Sequence, residues 1–312
     1  MKRFFPLILA LILAFALVAS DASAQRFTKR KMYNSVGVNL NAMNYFGDIV
    51  PRTNIASLRL GATRPNLGFT FTRRFAPRIS GRFGLSYGRI TGDDQKAADD
   101  KDQDAKFRYT RNMNFRNDIF EASVVGMFDL IENRNNYIRR PDFVPYVFAG
   151  VAAFKHNPKG LVGSEADAPA DLKGQYVELQ PLGTEGQNVS GKGYKSPYKR
   201  GQIAIPFGAG VRYKLDRHFD LGFEIGWRKT FTDYIDDVGG DFVQDRADLT
   251  SPAAQYFGYD ITRNDGAQLG TFGEAQQAGE IRGHSNEKDW YIVTGLTLNY
   301  ILAPKIKSPK FR

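Results

Sequence analysis

Phe219-Asp220-Leu221-Gly222-Phe223-Glu224-Ile225-Gly226-Trp227-Arg228-Lys229-Thr230-Phe231 is the stretch on which the fold turns. Leu221, Phe223, Ile225 and Trp227 share one parity, and Asp220, Gly222, Glu224, Gly226 and Arg228 share the other. A period of two puts these sets on opposite faces of an extended strand, whereas a helix would mix them. The run is longer than the usual strand of about five or six residues and close to the roughly 9–11 tilted residues that cross a bilayer.

Working outward, seven more segments carry the same signature. Ser35–Phe46 sets Val36, Val38 and Leu40 against Gly37, Asn39 and Asn41, and Asn66–Arg74 sets Leu67, Phe69 and Phe71 against Gly68, Thr70 and Thr72. In Ile79–Ile90, Phe83, Leu85 and Tyr87 oppose Arg82, Gly84, Ser86 and Gly88. In Phe115–Leu130, Phe120, Ala122, Val124, Phe128 and Leu130 oppose Glu121, Ser123 and Asp129. Gln202–Leu215 places Ile203, Ile205, Phe207, Val211, Tyr213 and Leu215 opposite Gln202, Gly208, Gly210, Arg212 and Lys214. Trp290–Tyr300 places Ile292, Leu296 and Leu298 opposite Gly295, Thr297 and Asn299. Phe143–Phe154 is weaker, with Tyr146, Phe148 and Phe154 on one face and Pro145, Val147, Ala149 and Val151 on the other.

The connections sort by length. Long links occupy 47–65, 91–114, 155–201 and 232–289; Phe75–Arg78 and Asp216–His218 are short, and Ile131–Asp142 is intermediate. Small outer-membrane barrels have short periplasmic turns and long outer loops. With both termini periplasmic, every long link here falls outside. The expectation is an all-β chain, an eight-stranded antiparallel transmembrane β-barrel of OmpA/OmpX-like form with long extracellular loops. The apolar face of each segment then meets outer-membrane lipid and the face of Gly, Thr and charge fills the lumen. Eight strands leave a lumen that side chains close. Arg82, Glu121, Arg212, Glu224 and Arg228 fall on that face and are expected to form interior ion pairs.

The ends agree with export. Lys2 and Arg3, the apolar run Phe4–Val18 and Ala22-Ser23-Ala24 follow the plan of a secretory signal peptide, so residues 1–24 are expected to be removed and 25–312 to form the barrel domain. There is no cysteine, which excludes disulfides, thiolate metal sites and a lipid-modified N-terminus. Formal charge is +10; removing Lys2, Arg3 and Asp21 leaves 41 basic against 32 acidic residues. Export makes nucleic acid an improbable partner and anionic lipid or an acidic protein face the better one.

Signals for chemistry are sparse. His156 and His284 fall near the outer rim, with Ser285 and Asp289 close to the latter, but no spaced nucleophile motif supports a lipid- or peptide-cleaving site. Both histidines are expected to be ordinary surface residues; His218 lies in a short inner turn. Gly92–Lys106 holds six aspartates with interleaved lysines and lacks the EF-hand spacing, so a solvated loop is expected over a calcium site. The expectation is a non-enzymatic protein without a cofactor.

Basic residues gather at the inner ends: Arg26, Lys29, Arg30 and Lys31 before the first strand, Lys305, Lys307, Lys310 and Arg312 after the last, and Arg134, Arg139 and Arg140 in the intermediate turn. Such a surface suits docking of a periplasmic partner.

Several motifs resemble the PorG-like outer-membrane barrels of the type IX secretion system of Bacteroidota. They are Asn44-Tyr45-Phe46-Gly47-Asp48, Arg116-Asn117, Ile119-Phe120-Glu121, Pro145-Tyr146-Val147-Phe148-Ala149-Gly150 with Phe154 and Asn157-Pro158, Glu224 with Gly226-Trp227-Arg228, Thr230 through Val238, Arg282-Gly283 and Asp289-Trp290-Tyr291. The resemblance spans nearly all of 25–312, although 159–200 has nothing to match. It implies a component contacting the periplasmic ring of the lipoprotein PorK and its partner PorN. Gly295, Leu298 and Tyr300 also look like the C-terminal signal read by the barrel-assembly machinery. The alternative is a general OmpA-like structural or adhesion barrel that works through its outer loops.

Overall fold

A computed structural model describes residues 31–49, 60–97, 113–164, 168–258, 282–283 and 288–304. The signal peptide, Arg26, Lys29 and Arg30, most of the aspartate-rich loop, His284, Ser285 and the tail with Lys305, Lys307, Lys310 and Arg312 lie outside the described residues.

The described residues form ten strands: β1 Asn34–Phe46, β2 Arg64–Arg74, β3 Ile79–Asp93, β4 Asn114–Asp129, β5 Phe143–Lys155, β6 Pro158–Leu161, β7 Tyr176–Glu178, β8 Gly201–Lys214, β9 Phe219–Thr230 and β10 Trp290–Leu302. All eight expected strands appear, β3 running three residues further than its alternation showed. They pair antiparallel in the order β1-β2-β3-β4-β5-β8-β9-β10, and the β1–β10 pairing closes the ring. Closure leaves the ring without an edge strand, so its backbone amides and carbonyls can pair inside the sheet, as hydrocarbon requires.

One ladder is interrupted for a chemical reason. Between Ala149↔Phe207 and Ala152↔Ala204 the β5–β8 pairing lapses, at the level of Pro206, which has no amide hydrogen to give.

β6 and β7 were not expected, being too short for alternation to register. β6 keeps the β5 register on β4: Phe120 pairs with Lys155 and Arg116 with Lys159. The wall therefore continues past the lipid zone, and β7 folds back on it as a hairpin.

Side-chain direction separates a membrane barrel from a soluble one. Leu40, Phe69 and Val124 face outward and are 65%, 61% and 57% exposed. In register, Leu67, Leu40, Leu296 and Phe223 form one exposed apolar row around four strands. So large a belt is incompatible with water.

β5 corrects the simple rule that the greasier face meets lipid. Tyr146, Phe148 and Phe154 are buried in the lumen, while Val147 and Val151 face out. Glycines opposite make the room: a Cβ at Gly208 or Gly226 would come within 2.8 Å of the Phe148 ring, and one at Gly210 within 2.7 Å of Tyr146.

At the end that carries Asn34 and Leu302, termed the inner end, the turns are tight. Phe75 and Ala76 amides donate to the Ile79 carbonyl, and Leu215 and Asp216 amides to that of Phe219. The opposite end, termed the outer mouth, holds the largest apolar cluster among the described residues, in which Ile235 and Val238 of the β9–β10 link join Met43, Tyr45, Phe115, Phe154 and Tyr291.

Candidate functional site

The lumen contains three tiers of charge. At the inner end the buried Asp129 carboxylate accepts from Arg74 at 2.9 Å and Arg212 at 2.8 Å. In the middle, Arg82 grips Glu224 with both terminal nitrogens, Tyr146 donates its hydroxyl to the same carboxylate, and the Arg82 guanidinium lies 5.1 Å from the centre of the Phe148 ring. Above, Glu121 accepts from Arg228 at 3.4 Å and from the Tyr291 hydroxyl at 2.7 Å. All five expected lumen residues thus lie inside; Asp129, the partner of Arg212, stood in the alternation but was not singled out. Strand parity fixes each carboxylate in the barrel, and low exposure leaves the arginines as its neutralising partners. Two lumen voids between the described residues have volumes of about 20 and 40 Å³, room for a few waters.

The outer plug is built by carboxylates that cap backbone amides. Asp289 accepts the Tyr45 hydroxyl at 2.6 Å and the Ile235 amide at 2.8 Å. Asp236 accepts the amides of Ile49 and Val238, tying the β1–β2 link to this segment. Asp237 holds a left-handed φ of 72° and accepts the hydroxyls of Thr184 and Tyr198. Asn117 donates to the Ile235 carbonyl and accepts the Asn157 amide. Glu185 accepts from Gly239, Gly240 and the fully buried Arg282. The run Thr230 to Val238, read in the sequence only as a motif, therefore seals the mouth. The link 159–200, which matched nothing, supplies Thr184, Glu185 and Tyr198 to the seal.

Burial raises the Asp237 carboxyl to about 6 although Arg282 opposes it, raises Asp233 to about 6 and holds Asp289 well above the usual range. Burial also lowers His156 to about 4.

His156 corrects the expectation of a surface histidine. It is fully enclosed, its ring 6.0 Å from Tyr198 and nearly parallel, with Tyr198 stacked on Tyr234 at 4.7 Å. The structural reason is that β8 and the link before it cover the end of β5, the His156 amide bonding to the Arg200 carbonyl. Asp289 is taken up by Tyr45 and Ile235, so neither residue is presented for catalysis. In the described part of the aspartate-rich loop, Asp93 pairs with Lys96 and Asp94 accepts the Met113 amide. Among the described residues no cluster of three metal-ligating side chains occurs.

The inner turn divides the expected docking residues. Arg134 is exposed beside Glu132, and Arg139 is exposed. Arg140 is the correction: it is buried, paired with Asp220 at 2.7 Å and donating to the carbonyls of Tyr137, Asp216, Arg217 and Phe219. A guanidinium with that many partners ties two inner turns together and has nothing left for another protein.

A family model described as Domain of unknown function (DUF6089) matches residues 7–174. The chain belongs to the DUF6089 family. No curated protein matches this DUF6089 chain. Among solved structures it is similar to Ail, the attachment invasion locus protein of Yersinia pestis, at 7% identity and a TM-score of 0.38, covering 88% of this chain and 99% of that one. It is similar to OprG of Pseudomonas aeruginosa at 10% identity and a TM-score of 0.36, covering 86% and 97%. It is likewise similar to Neisserial surface protein A at 10% identity and a TM-score of 0.34, covering 86% and 96%.

Proposed function

We propose that this DUF6089 chain is a non-enzymatic outer-membrane barrel of the type IX protein secretion machinery, whose periplasmic face contacts the PorK and PorN ring. The observation that carries it is a membrane barrel sealed at three charged tiers and at its mouth. A cylinder filled by three tiers of ion pairs and packed at its mouth is suited to anchoring. The assignment to this machinery rests on the motifs that resemble the PorG-like family, and of the expected docking residues Arg134 and Arg139 are described and exposed. In this reading the chain is inserted by the barrel-assembly machinery with both termini periplasmic.

The test is recovery of ring components with the barrel after extraction in mild detergent. Reversing Arg134, Arg139, Lys305, Lys307 and Lys310 to Glu is expected to abolish co-recovery while the barrel remains folded; undiminished recovery would exclude this docking face. Arg140 is left intact, because its replacement would disturb the fold.

The second reading, an adhesion barrel, is favoured by the built outer cap: the β6–β7 hairpin, the helix Pro252–Gly258 and a cleft of about 260 Å³ lined by Lys192, Tyr194, Lys195, Phe242 and Gln244. Removing the β6–β7 hairpin would then abolish surface attachment without affecting secretion.

A further inference from the structure

One sector of the outer rim carries more positive charge than its described carboxylates neutralise. On β5 the outward row passes from Val151 and Ala153 to Lys155, which is level with Phe120 on β4. Phe120 and its β3 neighbour Tyr87 are both exposed and close the apolar belt. Lys155 is itself exposed and makes no ion pair with any described residue. Two rows up stand Arg116 and Lys159 in register, the Arg116 guanidinium 3.6 Å from the Tyr176 ring centre. Glu178 is shared by Lys159 and Arg200, and Asp118 is paired with Arg89. Among the described residues of this sector, five cations against two carboxylates leave an excess of three positive charges.

Position decides what could meet them. Lys155 lies at the edge of the acyl zone beside two exposed aromatics, so the occupant must sit in the leaflet; a soluble protein cannot reach there. From Lys155 to Lys159 the strand rises about 13 Å, or about 9 Å of height at a tilt near 45°. A headgroup layer is roughly 5–8 Å thick, so the cations are spread through its whole depth, whereas a phospholipid presents its phosphate at one level. Arginine and lysine together offer fork and point contacts to phosphate oxygens. The β9–β10 side differs, with Trp227, Trp290 and Phe231 outward and Lys229 lying 5.2 Å from the centre of the Trp290 ring.

The geometry points to a binding surface on β4, β5 and β6 for the phosphorylated sugar headgroup of an outer-leaflet glycolipid, held by Lys155, Lys159 and Arg116. The inference rests on the reading that this rim faces outward in an outer membrane.

The test uses the full chain, purified in detergent and examined by native mass spectrometry with diphosphoryl lipid A, its dephosphorylated form and phosphatidylglycerol. Diphosphoryl lipid A should be retained on the order of ten-fold or more above the other two, and Lys155→Gln with Lys159→Gln should remove that preference. Lys155→Gln alone, at an exposed position without an ion pair, should weaken it in a chain that still runs as a folded barrel on unheated gels, and Arg139→Glu at the opposite end should not alter it. Equal retention of the dephosphorylated form, equal retention of phosphatidylglycerol, or an unchanged preference in the Lys155→Gln variant would overturn the proposal. A chain that stays folded and monodisperse without detergent would instead overturn the membrane reading itself.

Discussion

Glu224 shows at single-residue scale how the interior is held. Its carboxylate takes the Arg82 fork and the Tyr146 hydroxyl, with side-chain exposures of 16% for Glu224 and 11% for Arg82. Removing one partner of such a pair strands the other in a poorly solvated lumen, whereas removing both together does not. Glu224→Gln is therefore expected to destabilise the barrel by about 2–3 kcal/mol, less than a fully buried pair because some water reaches it, while Arg82→Met with Glu224→Met costs clearly less. Urea unfolding in lipid vesicles followed by tryptophan emission measures both; a double variant weaker than the single one would contradict the pairing. Alternation alone placed Arg82 and Glu224 on the inner face, but not Arg140 with Asp220. Those two are 80 positions apart, and Arg140 sits in a turn where parity has no meaning, so only the folded turns reveal its partners.

Among elements, the plug formed by the β9–β10 link has a pH dependence with two opposed parts. His156 stays neutral in the folded chain down to about 4, against an ordinary 6.5, so its contribution is intact above 6.5 and is lost as pH falls toward 4. Asp237, raised from 3.8 to about 6, keeps its proton when the unfolded chain has lost it, so its contribution is present below 3.8 and is lost as pH rises to 6. His156→Gln should therefore leave a plug whose amide-exchange protection at Ile235 and Val238 climbs more steeply than the parent's between pH 6.5 and 4.5. Identical slopes would show that His156 does not titrate as its burial implies. The strands were legible because lipid and lumen impose a period of two. The plug was not, since its caps come from positions as distant as Ile49, Thr184, Glu185 and Asp289, and no local pattern announces such a meeting. β5 misled for a related reason: its aromatics fill space left by glycines on β8 and β9, a complementarity that one strand read alone does not show.

For the whole molecule the decisive quantity is the outward belt. Leu40, flanked in register by Leu67 and Leu296, is the most exposed large apolar side chain among the described residues. Leu40→Arg should cost about 2–4 kcal/mol near the bilayer midplane, whereas at a water-facing site it would stay within about 0.5 kcal/mol of zero. Unfolding in vesicles discriminates the two. The ring is shut by β1 against β10, thirteen residues to thirteen, with Asn34 beside Leu302. That seam joins the first and last strands of the ring, so the sheet from β1 to β9 keeps two raw flanks until the last strand is delivered. A product cut short before Trp290 has no route to a finished cylinder, and the bilayer offers nothing to bond its open backbone. Integrity of synthesis is thus verified by geometry, since the exposed flanks of Asn34–Phe46 and Phe219–Thr230 find their partners only in Trp290–Leu302.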